Sequence, residues 1–121
     1  MKIALGLVHY PIRDRRGNIV ATNVTNLDVH DIARASRVFG IDRYYIIHPM
    51  QEQQSFVHRM LEHWRVGDGA KFNPVRKTAL TMVDTASRLE AAIDEWNKRE
   101  GLGESLQDRP LVVSTHARAL E

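Results

Sequence analysis

The 121-residue chain contains no cysteine, which excludes disulfides and thiolate-bound metal and fits a reducing, cytoplasmic setting. It also lacks long apolar runs. No stretch reaches the roughly 20 residues a membrane-crossing helix needs, and no charged-then-apolar leader precedes the first apolar segment, so no membrane association is expected. The phosphate-cradling glycine patterns of dinucleotide-binding and nucleoside-triphosphate enzymes are missing, as are HExxH and GxSxG. His58 and His63 stand five apart, off a common helix face, and no metal site is expected. No repeat or low-complexity tract is present.

What is there describes one domain over residues 1–121. Apolar residues make up 43% and charged residues 26%, ordinary for a globular chain large enough to bury a core. The net charge of +2 hides an asymmetry: residues 1–77 hold 12 Lys/Arg against 7 Asp/Glu, whereas residues 78–121 hold 5 against 8. A basic front half suits a polyanion such as RNA, although an unevenly charged solvated surface accounts for the number equally well.

Periodicity sets the elements. "KIALGLVHY" (2–10) and "RYYIIHP" (43–49) read as buried strands, "ALTMV" (79–83) as a third and "PLVVST" (110–115) as a fourth. "PIRDRRGN" (11–18) is a turn region, and "IVATNV" (19–24) a short extended piece. A helix is predicted from a cap at Thr25 or Asn26 to Phe39, with Ile32, Ala35 and Phe39 as its apolar stripe and Gly40 as its stop. A second runs from Gln51 to Gly67 on Val57, Met60, Leu61 and Trp64. Ser87 and Glu90 form a capping-box pattern ahead of a third helix with Leu89, Ile93 and Trp96 on one face. The alternation predicts a Rossmann-like α/β fold, a mostly parallel sheet with helices on both faces. In such sheets ligands bind beyond the carboxyl ends of the strands. His9-Tyr10, His48-Pro49, Asp84 and Ser114-Thr115-His116 are expected there, three of the six histidines among them.

"TNLDVHDIARASRVFG" (25–40) gathers the most chemistry. His30 and Arg34 are i, i+4, and Asp31 and Arg34 are i, i+3, neighbours on one helix face. Asp31 can orient Arg34 and leave its fork to a phosphate. A solvated ion pair worth roughly 0.3–0.5 kcal/mol is the plainer alternative. Arg13, Arg15 and Arg16 beside Gly17 can clamp phosphates, with Asp14 diluting their charge. "FNPVRK" (72–77) offers an aromatic ring, an amide and Arg76 to an RNA base and its phosphate, or serves as a helix entry with Pro74 at its first turn.

"VTNLDVHDIARASRVFGIDRYYIIHP" resembles the first motif of the SPOUT superfamily of S-adenosylmethionine-dependent RNA methyltransferases, with "FNPVR" and "PLVVSTHARA" extending the likeness along the chain. The resemblance implies methyl transfer to tRNA or rRNA. It assigns Arg34 to the RNA and methyl-acceptor site, with Asp31 as its brace and His30 or Asp28 taking the proton. Arg13, Arg15, Arg16, Asn26 and Arg76 would hold RNA. Ribose-methylating relatives often carry Asn six residues before that arginine. Asp28 stands there instead, with Asn26 two residues earlier, so ribose and base acceptors both stay open. The cofactor-binding trefoil knot is expected beyond Ala119. The chain is thus expected to be the SPOUT-like but C-terminally truncated, acceptor-side portion, not binding S-adenosylmethionine alone and prone to homodimerise. A non-catalytic RNA-binding or assembly module, and a small-molecule enzyme using His9, His48 and His116, are the rival readings.

Overall fold

The computed structural model describes residues 2–65 and 79–101. β1 (Ala4–Val8) is followed by a small antiparallel hairpin, β2 (Ile12–Arg13) and β3 (Ile19–Val20). Then come α1 (Asn26–Val38), β4 (Arg43–Ile47), α2 (Gln51–Arg65), β5 (Val83–Ala86) and α3 (Leu89–Arg99). β1, β4 and β5 make a parallel sheet in that order, with Ala4 opposite Arg43 and Tyr44 opposite Val83.

The strand β4 is apolar on both faces because both are covered. Tyr44 and Ile46 join Val29 and Ala33 of α1 and Val57 and Leu61 of α2 in one core. Tyr45 and Ile47 point the other way, toward Ala92, Leu89 and Trp96 of α3. This α/β layering is the architecture expected from the alternating pattern. At about 25 cal/mol per Å² of apolar area, such two-sided burial makes β4 the most costly strand to disturb.

Four local expectations are corrected. Ala79 and Leu80 are helical and buried, and the third strand starts at Val83; a short apolar run does not tell helix from strand. Asp84 consequently lies inside β5, opposite Tyr45, where Arg43 Nη2 donates to it at 3.2 Å. The capping box at Ser87 does not form, because the helix begins one residue later: Arg88 is its cap and makes no side-chain cap bond. On α1 the buried face is Val29, Ala33 and Ser36, while Ala35 is exposed and Phe39 is 80% exposed. The stripe is rotated: Val29 and Ala33 join the core, Ile32 packs against its edge, and the Tyr44 hydroxyl donates to Asp28 O at 2.7 Å in the first turn. The expected strand at 110–115 and the segment 72–77 lie outside the described residues. Among the described residues no helix is long and apolar enough to cross a membrane.

Candidate functional site

The carboxyl ends of the strands form a rim. His9 follows β1 and His48 follows β4, each continuing the ladder: His9 N donates to Ile47 O and His48 N to Ala86 O, both at 2.9 Å. The hairpin β2–β3 returns the chain across this rim at Thr22, whose amide donates to His9 O at 3.0 Å. Met50 N donates to His48 Nδ1 at 3.1 Å. A backbone amide only donates, so the imidazole proton sits on Nε2, which donates to Thr22 O at 2.9 Å. Gln54 Nε2 adds a bond to His48 O at 2.8 Å, and Gln53 Oε1 accepts from Val24 N at 2.8 Å. Both ring nitrogens of His48 are thereby occupied, and the side chain is a strut between α2 and the segment 22–24.

His9 is placed differently. Its ring stacks on His48 with centroids 5.8 Å apart, and its Nδ1 lies 2.7 Å from Thr22 Oγ1. On the far side Nε2 faces Asp28 Oδ2 at 3.4 Å, beyond good hydrogen-bond geometry. Burial pushes the His9 pKa down; the Asp28 carboxylate opposes that and His48 adds to it. A neutral imidazole therefore stands between a hydroxyl and a carboxylate, an arrangement able to pass a proton from one to the other. Asp28 also completes the capping box of α1, accepting from Thr25 N at 2.9 Å while Asp28 N donates to Thr25 Oγ1 at 3.2 Å. The acid that could take a proton is thus the acid that starts the helix.

The other sequence-predicted residues are dispersed. Arg13 ends β2, and Arg15 and Arg16 form the hairpin tip; all three are exposed. Asp14 does more than dilute their charge. Its Oδ1 accepts from Arg16 N at 2.8 Å and Asn18 N at 2.9 Å, shaping the turn that Gly17 completes at φ +84°. Asn26 is exposed at the start of α1. His30 is half-buried with its ring edge-on to Trp64, centroids 5.5 Å apart. Asp31 and Arg34 are exposed, and no hydrogen bond or ion pair joins them within the chain. The expected brace is absent because both groups stand in water, where such a pair contributes about 0.5 kcal/mol or less. Arg34 also lies eight residues after Asn26, about 12 Å farther along the helix axis and away from the rim. Arg76 and His116 lie outside the described residues. The position of His9 at a strand end was readable in the sequence; its partnership with Thr22 and Asp28 carries no local signal.

A sequence model for S-adenosylmethionine-dependent RNA methyltransferases matches residues 2–121. The chain belongs to this family. It is 42% identical over 112 residues to a protein of Oleidesulfovibrio alaskensis named tRNA (guanine-N(1)-)-methyltransferase, covering 93% of this chain and 25% of that protein. A protein of the same name from Nitratidesulfovibrio vulgaris is 37% identical over 112 residues, again across 25% of its length. A protein of Aquifex aeolicus named only as uncharacterised is 36% identical over 116 residues, covering 96% of this chain and 54% of its own length. The chain thus spans between a quarter and about half of these relatives.

The described residues do not fit the family's cofactor. His9 and His48 are buried at the rim with their rings on each other, leaving no open face for an adenine. None of the described glycines borders a strand end to cradle a ribose: Gly6 is mid-strand against Ile47, Gly17 is in the hairpin, and Gly40 and Gly101 follow helices.

Proposed function

We propose that this chain is the RNA- and acceptor-side part of a SPOUT-class methyltransferase, acting in the cytoplasm on tRNA or rRNA. The observation that carries the reading is the rim: a buried neutral imidazole held between Thr22 and Asp28, under a hairpin whose exposed side chains include three arginines. Family membership supports the chemistry, and the relatives' names support tRNA as the substrate.

In this reading Arg13, Arg15 and Arg16 hold RNA backbone, joined by Asn26 at the start of α1 and by Arg76. Arg34 fixes a phosphate or the acceptor group with its guanidinium fork, without a brace from Asp31 within the chain. Asp28 or His30 receives the proton that the acceptor gives up, and His9 backs Asp28 by sharing its carboxylate. The cofactor and its knot belong to residues other than those described. The chain self-associates.

The test is methyl transfer in the whole protein. Arg34→Ala is expected to abolish transfer and leave S-adenosylmethionine binding nearly unchanged; equal loss of both refutes the assignment. Calorimetry of the 121-residue chain with S-adenosylmethionine is expected to show no heat of binding. The exposed arginines of the hairpin, which can hold RNA backbone without any chemistry, also suit a second reading, a non-catalytic RNA-binding or assembly module. That reading predicts salt-sensitive RNA binding by this chain and full methyl transfer by an Arg34→Ala whole protein.

A further inference from the structure

Thr22 is an exposed residue held by two buried histidines. Its amide donates to His9 O at 3.0 Å, its carbonyl accepts from His48 Nε2 at 2.9 Å, and its Oγ1 lies 2.7 Å from His9 Nδ1. The two backbone bonds anchor the return of the hairpin across the rim. The third is of another kind. An exposed hydroxyl can bond to water, so stability alone gives no reason to commit a buried imidazole to it.

The direction of that third bond follows from Asp28. His9 is neutral, since burial holds its pKa down, and a neutral ring carries one proton. A bare Nε2 would turn its lone pair on the Asp28 carboxylate 3.4 Å away, whereas an N–H there turns its positive end on it. The proton therefore sits on Nε2, and Nδ1 is the acceptor. The Thr22 hydroxyl donates to Nδ1. With its one hydrogen committed inward, Oγ1 keeps its lone pairs as acceptors only, and among the described residues it has no other hydrogen bond.

We infer that Thr22 is a specificity-determining acceptor that reads an N–H or O–H donor on an unpaired nucleotide, with His9 and His48 as the residues that position it. The assignment rests on the reading of this rim as the RNA-facing side and deepens it. The rim is the carboxyl end of the parallel strands, where such sheets take ligands. At the same end Tyr10 follows His9 and Met50 follows Pro49, 41% and 49% exposed, an apolar surface on which a base or ribose can lie. Two groups of an unpaired ribonucleotide carry such a donor: the ribose 2′-hydroxyl, and the base edge, where each standard base has an N–H. A phosphodiester has none. The hairpin arginines and Thr22 thus divide the nucleotide, backbone to the first and donor to the second.

Binding is read by fluorescence anisotropy with the 121-residue chain at low salt, on short random-sequence RNA strands and the matching DNA. Thr22→Val keeps the shape of the side chain and removes its oxygen. It is expected to weaken RNA binding about three- to tenfold, while Thr22→Ser binds as the parent does. A loss on RNA alone assigns the donor to the 2′-hydroxyl; a loss of the same size on DNA assigns it to the base edge. A merely structural threonine would lower the urea midpoint without moving the affinity of the folded protein. The tautomer has its own readout, since ¹⁵N NMR of the free chain should place the His9 proton on Nε2. A proton on Nδ1, or equal RNA binding by Thr22→Val and parent, overturns the proposal and leaves the arginine contacts standing. A parent that binds neither strand removes the RNA reading and this assignment together.

Discussion

His9 ties stability to pH. Its pKa is depressed by burial, so the folded state prefers the neutral ring and the unfolded state binds the proton more readily. The contribution of His9 to stability is complete above the ordinary imidazole value of 6.5 and declines as pH falls below it toward the folded value. Urea unfolding between pH 7.5 and 5 should show that decline, and His9→Gln should flatten it. Tyr44 offers a second single-atom test. Burial, and then the Asp28 charge, push its phenol well above the usual range, and its hydroxyl donates to Asp28 O at the head of α1. Tyr44→Phe removes that bond, while Asp28 O stays within the helical ladder of α1, and should lower stability by about 0.5–1.5 kcal/mol in denaturant titrations. At this scale the sequence showed residue types but few partnerships. Asp28 was readable as an acid in a motif. Its bond to Thr25 follows the i, i+3 capping spacing, but its approach to His9 depends on a hairpin that brings residues 9 and 22 together, and no spacing rule encodes that.

Elements were more legible, and the misses have identifiable causes. α1 and α2 stand nearly where their caps and periodicity put them, since capping and apolar spacing act within a few residues. β5 was displaced because Ala79 and Leu80, apolar like strand residues, are buried in helical conformation. Thr25→Ala breaks the capping box and should cost about 0.5–2 kcal/mol in thermal unfolding, mostly through α1. In the proposed reading the hairpin between β2 and β3 meets RNA. Each Arg13, Arg15 or Arg16 →Ala change should reduce the slope of log binding constant against log salt by about 1 if that arginine meets a phosphate. A filter-binding series across salt concentrations reads the slope directly, and an unchanged slope for all three rules the hairpin out as the RNA contact.

For the whole molecule, the parallel three-stranded sheet followed from the order of elements alone, because helices between apolar strands leave few other arrangements. Its unity is testable. Trp64 packs in the core beneath α1 and α2, and Trp96 in the core beneath α3. β4 belongs to both, with Ile46 facing one core and Ile47 the other. Unfolding followed by fluorescence in Trp64→Phe and in Trp96→Phe proteins should give coincident transitions, and Ile46→Ala should lower both by roughly 2–5 kcal/mol. Separate transitions would mean that the two layers melt independently. α1 and α2 cover one face while the strands step from β1 to β4 to β5; α3 covers the other. Crossovers between parallel strands are right-handed in nearly all proteins, so any further parallel strand joined through α3 must be added back at β1. The winding of the sheet would then reverse at β1, and the crevice opened by such a reversal begins where β1 ends, at His9.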